Sequence, residues 1–219
     1  MSLVIFNGSP RGAGSNSKIM ADSFLKGFLS ETNEESKMFY LINKKELELH
    51  KKEFENAEKI IFIFPLYTDG MPGMVKEFFE EVEEYNSKGK KIGFIVHSGF
   101  PEAIHSKSLA EYLKRFAEII NADYAGTAIT GGSEALKFIP EKALNKKLAP
   151  FYALGREYAL NCKFDIETIK ELGKLHKFNS LMLIFLKICI SLGIFNIHWN
   201  KILKKNGSLD KRLAKPYQS

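Results

Sequence analysis

The chain has 219 residues, 45% of them hydrophobic, enough to bury one sizeable core with an appendage and to fold without covalent staples. Cys162 and Cys189 are its two cysteines, which excludes a disulfide framework and, without C-x-x-C spacing, a zinc or iron–sulfur centre. The formal net charge of +6 is uneven: residues 161–219 carry +7 and residues 1–160 carry −1, so any attraction to acidic partners or surfaces resides in the C-terminal part.

The first predicted element is a short strand, Leu3-Val4-Ile5-Phe6. It is shorter than the apolar region of a secretory leader and follows no basic residue, so the expected compartment is the reducing cytoplasm. A small-residue loop follows, Asn7-Gly8-Ser9-Pro10-Arg11-Gly12-Ala13-Gly14-Ser15-Asn16-Ser17, and a helix starts near Ser15 with apolar positions at Ile19, Met20, Phe24, Leu25 and Phe28. Hydroxyls of Ser9, Ser15 and Ser17, the Arg11 guanidinium and the first N–H groups of the helix are phosphate-binding chemistry. The loop lacks the terminal Gly-Lys-Ser/Thr of a nucleotide-hydrolysing loop and the G-x-G-x-x-G of a dinucleotide site, which favours a mononucleotide with a single phosphate.

Met38–Ile42 reads as the second strand and Lys59–Phe64 as a third, fully buried one, with a charged stretch, Asn43 to Glu58, between them. Pro72 suits a first helical position ahead of the apolar face Val75, Phe78, Phe79 and Val82. Lys91–Val96 is the fourth strand. Leu109, Tyr112, Leu113, Phe116, Ile119 and Ile120 mark an amphipathic helix, and Tyr124–Thr130 is the fifth strand, ending at Gly131-Gly132. This alternation implies an α/β fold, a five-stranded parallel sheet with helices on both faces, whose ligand crevice lies beyond the carboxyl ends of the strands.

Gly8-Ser9-Pro10-Arg11 leading to Ser15-Asn16-Ser17, then Phe64-Pro65-Leu66-Tyr67-Thr68-Asp69-Gly70-Met71-Pro72-Gly73, resembles the flavodoxin-like NAD(P)H-dependent FMN oxidoreductases over roughly residues 2 to 160. His97-Ser98-Gly99-Phe100-Pro101-Glu102-Ala103 is similar to a loop some of these proteins carry after the fourth strand. The resemblance implies strand order 2-1-3-4-5 and a tightly bound FMN held by Ser9, Arg11, Asn16 and the neighbouring serines. It also implies flavin contacts from Pro65, Leu66, Tyr67, Thr68, Asp69, Gly70, Met71 and Pro72 in one loop, and from Ser98, Gly99 and Phe100 in another. The implied activity is a ping-pong cycle: NADH or NADPH gives hydride to flavin N5, and a small acceptor such as a quinone, a nitro or azo compound, a free flavin or a metal complex takes it up. No catalytic acid or base is needed, because the flavin carries the chemistry. His97 either lines the flavin or ends a strand. His50, His105, His176 and His198 lack metal-ligand spacing, so no metal site is expected. A flavodoxin-type electron carrier and a non-catalytic FMN-binding module are the other readings.

Residues 161–219 form a basic extension beyond the expected domain of residues 1–160. Leu181 to Phe195 is nearly all apolar, with Ser180, Lys187, Ser191 and His198 spaced along one stripe of a helix. Three roles are open for residues 178–199: a lid, the contact of a homodimer, or a peripheral contact with a membrane surface. Lys201, Lys204, Lys205, Lys211, Arg212 and Lys215 come without an aromatic platform or recognised motif, so no nucleic-acid partner is expected.

Overall fold

The structure, a computed structural model, describes residues 2–174 and 180–214. Strands and helices alternate: β1 (Ser2–Asn7), α1 (Asn16–Leu29), β2 (Glu35–Tyr40), α2 (Leu47–Asn56), β3 (Lys59–Pro65), α3 (Gly73–Val82), β4 (Lys91–His97), α4 (Lys107–Ile119), β5 (Asp123–Thr130), α5 (Glu141–Asn161) and α6 (Ile166–Leu172). The five strands pair in parallel in the order β2-β1-β3-β4-β5. Their alternation fills two cores. Val4, Phe6, Ile60, Phe62, Phe64, Ile92, Phe94 and Val96 face α2, α3 and α4, where the Phe79 and Phe116 rings stack with centroids 4.0 Å apart. Leu3, Ile5, Ile61, Ile63 and Ile95 face α1 and α5. Strands buried on both faces explain the unbroken apolar run of β3.

Three elements of the sheet domain differ from the sequence expectation. The charged stretch after β2 contains α2, whose buried His50 and Phe54 form its inner stripe with Leu47, while Glu and Lys side chains and the exposed Leu49 make up most of the rest. The second strand is shifted back to Glu35–Tyr40, because register against β1 pairs Glu35 with Ser2 and Tyr40 with Asn7. Pro72 caps α3 from outside instead of occupying its first turn.

Helix α5, interrupted in sequence by Pro150, lies directly on α1. The approach is close enough that a Cβ on Gly155 would stand 1.9 Å from the Phe24 carbonyl oxygen, and one on Gly27 would meet the Tyr152 carbonyl at the same distance. After α5 the chain returns to the sheet. Phe164 packs over the Gly93–Gly126 pair of β4 and β5, where a Cβ on Gly93 would come within 2.8 Å of its ring, and Leu172 of α6 is buried in the same core. Residues 161–174 therefore complete the sheet domain, and the boundary expected after residue 160 moves outward: the chain divides into compact units Met1–Leu175 and His176–Ser219.

In the second unit the expected single apolar helix is two, α7 (Ser180–Ser191) and α8 (Ile194–Lys205), separated at Gly193, whose φ of +67° is left-handed. Ser180, Lys187 and Ser191 are thus parted from the α8 positions and form no continuous stripe with them. The expectations attached to His176, to residues 178–179, to Lys215 and to the His198 side chain lie outside the described residues. Among the described residues no helix is long and apolar enough to cross a membrane.

Candidate functional site

The loops after β1, β3, β4 and β5 meet at the carboxyl edge of the sheet, where the chain order reverses between β1 and β3. Ser9, Arg11, Asn16, Pro65, Leu66, Tyr67, His97, Gly99, Ser133 and Glu134 line one cavity there. It measures about 40 Å³, far less than a groove of about 480 Å³ beside α1 and α5 that is lined by Ile19, Asp22, Ser23, Lys26 and Tyr152 among others. Chemistry rather than size distinguishes the smaller one. It alone of the two joins a helix N-terminus, a guanidinium and buried polar groups to an aromatic loop.

Its floor is a buried hydrogen-bonded relay. Ser133 Oγ donates to the Ser98 carbonyl at 2.9 Å, which spends its one proton, so it accepts from His97 Nδ1–H, also at 2.9 Å. His97 Nε2 is then the unprotonated nitrogen and accepts from Ser17 Oγ at 2.8 Å. Burial pushes the imidazole down to about 3, with the Arg11 charge adding to the effect, so the ring is neutral. The relay ties the start of α1 to the end of β4 and to the turn after β5. Asn16 strengthens that tie by donating from Nδ2 to the Ser133 carbonyl at 2.9 Å, while its buried Oδ1 has no partner among the described residues.

The first loop is organised by its own side chains. Asn7 Oδ1 accepts from the Ser9 N–H at 2.9 Å, and Asn7 Nδ2 donates to Ser15 Oγ at 3.2 Å. Ser15 is the N-cap of α1, accepting from the Lys18 N–H at 3.1 Å. Ser15 and Ser17, both expected at a phosphate, therefore sit behind the cavity: one caps the helix and the other holds His97. Arg11 turns to Glu134, with Nη1 3.0 Å from Oε1, both side chains more than half exposed at the cavity mouth. Lys137 Nζ donates to the Gly14 carbonyl beside this pair.

The loop after β3 folds back on itself. Tyr67 N–H donates to the Gly70 carbonyl at 2.9 Å and Gly70 N–H to the Tyr67 carbonyl at 3.0 Å, with Thr68 (φ +46°) and Asp69 (φ +62°) left-handed between them. Two consecutive non-glycine residues in that region hold local strain, a feature that clusters at ligand clamps. The tight turn presents Tyr67, 45% exposed, next to Pro65 and Leu66. Thr68, Asp69, Gly70, Met71 and Pro72 form the turn and its exit and do not line the cavity, and Met71 packs on the core. Of the loop after β4, Gly99 lines the cavity, Ser98 bonds inward to the Phe100 carbonyl, and Phe100 is exposed beside His105.

Ser133 and Glu134 escaped the sequence analysis, although Gly131-Gly132 after β5 marked another loop at the same sheet edge. These residues suit FMN. The N-terminus of α1 with Arg11 offers donors for a terminal phosphate, the unpaired Asn16 Oδ1 offers an acceptor for a ribityl hydroxyl, and the Pro65-Leu66-Tyr67 wall offers a planar apolar surface.

A family model described as flavodoxin-like fold matches residues 1–149. No curated protein matches the chain. Solved structures do. An FMN-dependent NADH-azoreductase from Bacillus anthracis str. Ames Ancestor, in complex with FMN, is 14% identical with a TM-score of 0.57 and aligns over 73% of this chain and 100% of its own. An NADH:FMN oxidoreductase, EMOB, in its apo form is 18% identical with a TM-score of 0.59, over 76% and 92%. An NAD(P)H:quinone oxidoreductase from Methanothermobacter marburgensis is 14% identical with a TM-score of 0.56, over 72% and 96%. At these identities the likeness is one of fold.

Proposed function

The chain belongs to the family of flavodoxin-like fold, and from that premise we propose that it is an FMN-dependent oxidoreductase that takes reducing equivalents from NADH or NADPH and passes them to a small acceptor. The observation that carries this reading is the meeting of Arg11 and the α1 N-terminus with the Tyr67 turn in one cavity at the switch point of the sheet. The similar structures include an azoreductase and a quinone reductase, which supports an acceptor of that broad kind, a quinone or an azo compound.

FMN, when bound, supplies two-electron transfer between nicotinamide and acceptor. The protein's part is binding and orientation. Arg11, Ser9 and the first N–H groups of α1 would hold the phosphate, which competes with Glu134 for the guanidinium. Asn16, through its unpartnered Oδ1, would meet the ribityl chain. Tyr67, with Pro65 and Leu66, would flank the ring on a turn braced by Thr68, Asp69, Gly70, Met71 and Pro72, and Gly99, held between Ser98 and Phe100, would border it from the β4 side. The Ser17–His97–Ser133 relay keeps the start of α1, the end of β4 and the turn after β5 in register and stays neutral beside Arg11.

Fluorescence titration of the purified chain with FMN and with riboflavin tests this reading. One FMN bound per chain, and much weaker binding of riboflavin, which lacks the phosphate, is the expected result. Equal affinity for the two, or no binding of either, would refute it.

A further inference from the structure

From the second compact unit, taken by itself, we infer that α7 and α8 form a docking surface for an anionic lipid bilayer, lying in its interface without crossing it. Leu181, Ile184, Phe185 and Ile188 follow the i, i+3, i+4, i+7 spacing of one helix face and all are exposed, and Leu192 continues the row into the turn. An exposed apolar row of this kind, with Leu183 and Ile190 also exposed beside it and Lys187 among them, marks an interaction site. At 12 residues α7 is about 18 Å long, well short of the ~30 Å of a hydrocarbon core, so it rests along the surface.

The charge around this row selects the partner. Residues 180–214 carry six basic side chains against one acidic one, Asp210. None of the six forms an ion pair with a described residue. Lys201, Lys204 and Lys205 are exposed on α8, and Trp199, also exposed, has the amphipathic ring that favours the headgroup level. An apolar helix face next to unpaired lysines and a tryptophan matches the requirements of an amphipathic element on negatively charged lipid. A second copy of the chain fits less well. A two-fold interface sets a patch against itself and would bring the two sets of six cations together with a single carboxylate, Asp210, from each copy.

Flotation of the full chain with vesicles of phosphatidylglycerol and phosphatidylcholine, compared with pure phosphatidylcholine vesicles, tests the inference. The chain should float with the anionic vesicles at least tenfold more than with the neutral ones, and release as salt is raised. Phe185→Glu, at an exposed position, should abolish flotation with the far-ultraviolet circular dichroism and FMN affinity unchanged. Lys204→Glu with Lys205→Glu should weaken it. Absence of flotation in the parent chain, whether it sediments as monomer or as homodimer, would overturn the inference. So would equal binding to both vesicle types, or full binding by the Phe185→Glu chain.

Discussion

Arg11 and Glu134, 123 positions apart in sequence, meet at 3.0 Å across the mouth of the cavity. The carboxylate occupies the guanidinium that a phosphate would otherwise engage, and the two anions compete for one cation. An exposed pair of this kind is worth about 0.2–1 kcal/mol. Glu134→Gln should therefore tighten FMN binding by up to about fivefold. Arg11→Ala should weaken it roughly tenfold, the lower end of the range for a charge-assisted contact because the side chain is half exposed. Parallel titrations of both variants check this; tighter binding in Arg11→Ala would remove the residue from the phosphate site.

Tyr67 is held at the base of a strained turn with its ring half exposed. If the ring lies against the flavin, Tyr67→Ala removes an aromatic contact worth about 0.5–1.5 kcal/mol and should weaken FMN binding roughly two- to tenfold. Tyr67→Phe should retain it. Titration together with the visible spectrum of the bound flavin distinguishes the variants.

His97 gives the molecule an acid sensitivity of known sign. Folded, it stays neutral down to about pH 3; unfolded, it takes up a proton near pH 6.5. Between those values the unfolded chain binds the extra proton, so stability from this group is full above about pH 6.5 and is lost as the pH falls. Chemical denaturation at a series of pH values should show a shallower loss in His97→Gln. The buried His50, lowered in the same direction chiefly by desolvation, leaves a residual slope. The variant should also bind FMN more weakly at neutral pH, since the loops around the cavity lose their common anchor.

Gly155 sits where α5 touches the backbone of α1. Gly155→Ala forces the helices apart and should cost about 1–3 kcal/mol, the usual range for overpacking. Denaturant unfolding followed by circular dichroism measures it, and an unchanged midpoint would contradict the packing described.

Most strands are visible in the sequence because strands buried on both faces write themselves as apolar runs, as in Lys59–Phe64, whereas their order comes with the resemblance of the loops. Helix α2 is not visible, since its inner stripe consists of Leu47, His50 and Phe54 among charges, and a histidine there reads as polar although it is buried. The place of Phe164 was hidden for a different reason: its partners Gly93 and Gly126 are distant in sequence and small, so nothing local announces the contact. At the site, Ser9, Arg11, Asn16 and Tyr67 were visible as residue types suited to phosphate and ring. The inward roles of Ser15 and Ser17, and the participation of Ser133 and Glu134, depend on how four loops converge, which spacing along the chain does not encode.

The central claim is that this cavity holds FMN for reduction by a nicotinamide. The direct measurement is anaerobic stopped-flow mixing of the FMN-loaded chain with NADH and, separately, NADPH while the flavin's visible absorbance is followed. Rapid, complete bleaching by at least one of them, restored by adding a quinone, is the predicted result. A flavin that stays oxidised with both nicotinamides yet is reduced by a reduced protein partner would contradict the account and assign the chain to electron carriage.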